Sequence, residues 1–116
     1  MPKDDLVYIL HMIDLGQAAV HKASVVTKNQ YDADENLRLA ITHLIQTIGE
    51  AARRVSTDFR QRHPHIPWNQ IVGMRHKVVH DYMHVDYDLA WDVATTELPR
   101  LLEQLEKIQP DKNGHD

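Results

Sequence analysis

Apolar residues recur at helical spacing from the start of the chain. Leu6, Ile9, Leu10, Ile13, Ala18 and Val20 follow i, i+3, i+4 and i+7 steps, with polar Gln17 inside the pattern. Asp4 and Asp5 stand where a helix dipole favours acids, so a first helix of about five turns is predicted. Residues 27–34 (TKNQYDAD) have no period and collect Asn and Asp; they read as a loop ending in an N-cap at Asp32 or Asp34. From Leu37 the set Ile41, Leu44, Ile45, Ile48, Ala52, Val55 and Phe59 repeats every three or four residues as far as Arg62. That predicts one helix, the longest in the chain.

The run HPHIPW at 63–68 must end it, because each proline lacks an amide donor and disfavours helical geometry in the residue before it. A short third helix begins after Pro67 with Trp68, Ile71, Val72 and Met74, and Val78 and Val79 carry its apolar side towards His80. A fourth starts from an N-cap at Asp86 or Asp88 and carries Leu89, Val93, Leu98, Leu101, Leu102, Leu105 and Ile108. Pro99 lies inside it, frees the carbonyl of Thr95 and predicts a kink. No stretch alternates with the period of a strand. The expected architecture is therefore all-α, an up-and-down antiparallel four-helix bundle with a kinked C-terminal helix, over residues 1–110, followed by a disordered tail at 111–116. Gly49, inside the second helix, costs about 1 kcal/mol relative to Ala if exposed, so it predicts the close approach of another helix backbone.

A chain of 116 residues supports one core. With no cysteine there is no disulfide, thiol nucleophile or thiolate metal site. No apolar run reaches the roughly 20 residues that span a bilayer, and the opening MPKDD is not a secretory signal, so a soluble cytoplasmic protein is expected. The net charge of −4 argues at first against a nucleic-acid partner. Its distribution changes the picture. Residues 53–80 hold Arg53, Arg54, Arg60, Arg62, Arg75 and Lys77 against the single acid Asp58, a local +5 in a remainder of −9. A solvated helix face is the plainer reading of such a cluster, and its coincidence with the following segment is what favours RNA.

The segment GMRHKVVHDY at 73–82 gathers an arginine, two histidines and a tyrosine. Phosphodiester cleavage by the RNA 2′-hydroxyl needs a proton acceptor, a proton donor for the leaving oxygen and positive charge on the phosphorane oxygens. Histidine serves as acid or base near neutral pH, and the planar arginine fork matches phosphate oxygens, so no metal is required. At about 100° per residue, Arg75 and His80 lie roughly 140° apart on a straight helix. Either the helix unwinds near His80, or two copies face each other across a two-fold axis and share one cleft. A symmetric dimer is the commonest oligomer, and a homodimer with one composite site is the expectation.

Arg75-x4-His80-x-Tyr82 resembles the R-x4-H-x-Y signature of HepT toxins, a branch of the HEPN superfamily. IGEAA at 48–52, IPW at 66–68 and VDYDLAW at 85–91 resemble further segments of that family, so the likeness covers about residues 5–108. Asp81 departs from the glycine more common there. The resemblance implies a dimerising four-helix bundle whose paired Arg and His form a metal-independent endoribonuclease cleft, with no cofactor of its own. Arg75 would stabilise the phosphate, His80 would act as general acid or base, and His76 would be an auxiliary polar residue. Arg53, Arg54 and Lys77 are RNA-binding candidates. The resemblance further implies a toxin–antitoxin pair of type VII. Its antitoxin, a minimal nucleotidyltransferase of the MntA kind, uses ATP to place AMP on the motif tyrosine, here Tyr82. That adds negative charge and bulk beside a cationic cleft.

Plainer readings stand beside these. Taken singly, Arg75 and His80 suit a helix end that satisfies terminal carbonyls, and Tyr82 suits an ordinary interface aromatic. His76, His80 and His84 recur every four residues, a ladder that binds zinc when helical. Glu50 with Arg53 or Arg54 suits an intra-bundle ion pair, and Trp68 and Trp91 suit core packing. An alternative function is a non-catalytic helical partner, or nucleotide-binding module, of a minimal nucleotidyltransferase.

Overall fold

The computed structural model describes residues 3–81 and 84–108. Helix α1 (Lys3–Ser24) has Asp4 and Asp5 in its first turn and His21 and Lys22 in its last, acids at the positive end of its dipole and bases at the negative. It buries Ile9, Met12, Ile13 and Ala19; Leu10, one residue round from Ile9, turns off that face and is 39% exposed.

Residues 27–34 are not the expected loop. The Thr27 hydroxyl accepts from the Gln30 amide at 3.1 Å while the Gln30 side chain accepts from the Thr27 amide at 2.8 Å. This capping box opens α2 (Lys28–Ala33). Asp34 then caps α3 (Glu35–Arg54) by accepting from the Leu37 amide at 3.1 Å. Between the two, the buried Tyr31 donates its hydroxyl to the Tyr87 carbonyl at 2.7 Å and packs its ring 4.9 Å from Trp91. Burial pushes the Tyr31 hydroxyl up to about 12.

The single helix expected over 37–62 is broken after Arg54. Ser56 caps α4 (Thr57–Arg62) by accepting from the Phe59 amide at 3.1 Å. Its own amide and hydroxyl each donate, at 2.7 Å, to the carboxylate of Asp5, which is only 2% exposed. Arg60 reaches back to the carbonyls of Ala52 at 2.8 Å and Arg53 at 3.0 Å, satisfying the end of α3. Val55 and Phe59 remain buried on either side of the break, so the apolar spacing runs through a change of helix. With 22 residues, α1 is therefore longer than α3 with 20.

Helix α5 (Trp68–Val78) starts directly after Pro67, as expected, but does not continue through Val79. The chain becomes extended as β1 (Val79–Asp81), paired antiparallel with β2 (His84–Val85) in the register Val79 to Val85 and Asp81 to His84. These strands correct the expectation of a purely helical chain. Val78 and Val79 are β-branched and suit either state locally, and the Asp86 amide settles the matter by bonding the Val78 carbonyl at 2.7 Å.

Asp86 caps α6 (Tyr87–Asp92), accepting from the Leu89 amide at 2.9 Å. That helix runs through a π turn, Val93–Glu97, into α7 (Leu98–Glu106). The Leu98 amide bonds the Val93 carbonyl five residues back, immediately before Pro99, which has no amide to give. The disturbance expected at Pro99 thus takes the form of one widened turn.

α1 packs against α3 and α7, and α3 against α5, so the long helices pack antiparallel around a core of Ile9, Ile41, Ile45, Ile48, Val78, Leu98 and Leu105. Gly16 lets α7 close on α1, since a Cβ there would lie 2.8 Å from the Leu102 side chain. Trp68 is buried, as expected, and Trp91 half-buried. No described helix is long and apolar enough to cross a membrane. The tail at 111–116, expected to be disordered, lies outside the described residues.

Candidate functional site

The contact that organises the site is the one Gly49 predicts. A Cβ on Gly49 would lie 3.3 Å from the Ile71 carbonyl and 3.5 Å from the Arg75 Cβ, so the missing side chain is what lets α3 and α5 touch here. The next residue, Glu50, consequently faces Arg75. The Arg75 guanidinium donates to the Glu50 carboxylate, which also accepts from Arg53 at 3.1 Å. The Arg53 hydrogen bond, with the charges of Arg53 and Arg75, holds the Glu50 carboxyl below the usual carboxylate range despite partial desolvation.

This trio lines an open depression of about 460 Å³ together with His43, Gln46 and Thr47. The Thr47 hydroxyl is engaged with the His43 carbonyl at 2.8 Å, whereas His43 stands exposed and Gln46 half-exposed. None of His43, Gln46 and Thr47 is among the site residues that the sequence motif singles out. A signal was present: His43, Gln46, Thr47, Glu50 and Arg53 form a polar stripe at i, i+3, i+4, i+7 and i+10, facing away from the apolar one.

The other predicted residues fall around this groove. His80 is exposed on β1 and lines a second open depression, of about 490 Å³, with His84, Val85, Asp86, Tyr87 and Asp88. The helix does unwind before His80, one of the two geometries the spacing required. Even so, within the chain Arg75 and His80 line different depressions, and among the described residues no hydrogen bond joins them. His76 and Lys77 are exposed on the last turn of α5 and Arg54 at the end of α3, and of the three RNA-binding candidates only Arg53 lines the Arg75 groove. Tyr82 lies outside the described residues.

The basic cluster is partly neutralised by the fold. Arg53 and Arg75 share Glu50, Arg62 pairs with Asp58 at 3.1 Å, and Arg60 is spent on backbone carbonyls. Among the described residues Arg54 and Lys77 have no ion-pair partner. The histidine ladder loses its helical phase, because His76 stays on α5 while His80 and His84 sit on strands. Among the described residues no group of three His, Asp or Glu is placed to hold a metal ion.

Residues 12–108 match the family described as Ribonuclease HepT-like. A protein named "Putative RNase" from Methanocaldococcus jannaschii is 29% identical over 117 residues, spanning all of this chain and 97% of its own length. Another of that name, from Caldanaerobacter subterraneus subsp. tengcongensis, is 29% identical over 101 residues, 87% of this chain and 90% of its own. "Probable ribonuclease HepT" of Thermococcus cleftensis is 33% identical over 76 residues, 66% of this chain and 69% of its own. No solved structure matches the chain. The family match runs from α1 to the end of the described chain and takes in the α3–α5 groove, and the protein belongs to the HepT-like ribonuclease family.

Proposed function

We propose that the protein is a metal-independent endoribonuclease, the toxin of a toxin–antitoxin pair, acting as a homodimeric four-helix bundle of the HEPN kind. The observation that carries the reading is the exposure of Arg75 on the last turn of α5 and of His80 just past its end, in a chain of this family. Each is available to solvent and to a second protomer, and because they line separate depressions in one copy, the reading requires the cleft to be shared across a two-fold axis.

In such a cleft the RNA 2′-hydroxyl attacks the adjacent phosphorus, its proton passing to an imidazole, while the bond to the 5′-oxygen breaks and that oxygen takes a proton from an acid. The products are a 2′,3′-cyclic phosphate and a 5′-hydroxyl. His80 moves a proton, Arg75 binds the phosphorane oxygens, and His76 is auxiliary. Regulation follows the resemblance: a nucleotidyltransferase antitoxin transfers AMP from ATP to the Tyr82 hydroxyl, releasing pyrophosphate, and the added phosphodiester occupies the cationic cleft.

The test is cleavage of RNA by the purified dimer in EDTA, with Arg75→Ala and His80→Ala beside it and intact mass before and after exposure to the partner with ATP. Cleavage lost in both variants, and a gain of about 329 Da per AMP that vanishes in Tyr82→Phe, are expected. RNA left intact by unmodified protein would overturn the reading.

A further inference from the structure

We propose that the groove between α3 and α5 is a subsite for the nucleotide next to the scissile phosphate, with Gln46 and His43 against the nucleoside, Arg53 on its phosphate, and Glu50 standing in for that phosphate when RNA is absent. The inference rests on the ribonuclease reading and adds to it a set of residues on α3.

The first support is chemical. The Glu50 carboxylate is a monoanion whose two oxygens meet two guanidiniums, one from Arg53 and one from Arg75. A phosphodiester has the same charge and two non-bridging oxygens, so it fits the same fork. The second is energetic. The Glu50 side chain is 33% exposed and that of Arg75 44%, and solvent-facing ion pairs are weakly held, so a strand phosphate can exchange for the carboxylate. The third is spatial. The groove of about 460 Å³ falls in the range of pockets that hold small organic ligands, and beyond the ion pair it offers an exposed imidazole and a side-chain amide, groups suited to base edges or ribose hydroxyls. His80 takes no part in this groove, which leaves the subsite intact whichever protomer supplies the histidine. Glu50 then has a definite effect: it competes with every polyanion that approaches Arg75 and keeps affinity low at rest.

The experiment measures binding of a 2′-O-methyl oligoribonucleotide, which lacks the attacking hydroxyl, to the full-length protein over a series of salt concentrations. Glu50→Gln should bind about threefold to tenfold more tightly, and its log-affinity against log-salt plot should steepen by roughly 0.7 to 1.4 as one or two guanidiniums are released to phosphate. Glu103→Gln, an exposed change of equal charge on α7, should leave the slope unchanged. Gln46→Lys should tighten binding and Gln46→Glu weaken it, in opposite directions from one position, and His43→Ala should weaken it. A Glu50→Gln protein that behaves as Glu103→Gln does, or a Gln46 pair that moves together, would overturn the subsite. Because cleavage is not the readout, a wild-type protein that fails to cut RNA sinks the ribonuclease reading in a separate assay.

Discussion

Arg75 and Glu50 meet where α5 rests on the bare backbone of Gly49, so the guanidinium aimed at solvent is already holding a carboxylate. In the proposed ribonuclease the fork of Arg75 would matter more than its charge. Arg75→Ala should lower the RNA cleavage rate about 10²- to 10³-fold, and Arg75→Lys should recover only part of that loss. The ion pair is solvent-facing, so unfolding free energy should change by no more than about 0.5 kcal/mol in either variant. Single-turnover rates and urea midpoints on the same samples check both halves.

The proposed sharing of the cleft between two protomers makes a complementation prediction. Arg75→Ala and His80→Ala proteins, each inactive alone, should regain cleavage when refolded together, to about tenfold above either parent. The mixed dimer keeps one guanidinium and one imidazole. No recovery on mixing, or a single monomeric species in sedimentation, would count against the shared site.

Two glycines on facing helices should respond oppositely to the same change. A methyl at Gly49 meets the Ile71 carbonyl at 3.3 Å, a backbone atom with little room to give, whereas nothing lies within 4 Å of a Cβ at Gly73. Gly49→Ala should destabilise by about 1–2 kcal/mol, the crowding outweighing the better helix propensity, and should displace Arg75. Gly73→Ala should stabilise by about 0.5–1 kcal/mol. Denaturant unfolding of the two variants decides it, and a stabilised Gly49→Ala would show the interface to be looser than described.

Alkaline pH should act through Tyr31. Its hydroxyl is raised from 10.0 to about 12 by burial, so the fold favours the protonated form. That contribution is complete below pH 10 and is lost as pH rises from there towards 12. Tyr31→Phe removes the donor to the Tyr87 carbonyl and should cost about 1–3 kcal/mol at pH 8. Urea unfolding at pH 8 and pH 11 should show a smaller alkaline loss in the variant than in the wild type.

Much of the helical frame was legible because its signals are local. Periodicity marked α1 and α3, Pro67 marked the start of α5, Asp34 and Asp86 marked caps, and Pro99 marked the disturbed turn. What was missed depends on partners distant in sequence. Val55 and Phe59 keep the apolar period across the break at Ser56, which is fixed by Asp5, 51 residues earlier. Val79 leaves the helix because β2 and the Asp86 amide are there to receive it. At the site, Arg75 and His80 were singled out by the resemblance of their segment to the HepT motif, and the engagement of Arg75 with Glu50, 25 positions away, is a consequence of α3 touching α5. The capping box at Thr27 and Gln30 is the exception, a local signal that the Asn and Asp of the same stretch obscured.

The switch from helix to ribbon at Val79 also makes the four-residue spacer between Arg75 and His80 a ruler with two scales. One residue inserted ahead of the switch swings whatever precedes it by about 100°, while one inserted after it turns the imidazole to the opposite side of the ribbon. Length changes in this spacer therefore have no small version, and a chain that kept both side chains but lost the count would keep its fold and lose their relative aim.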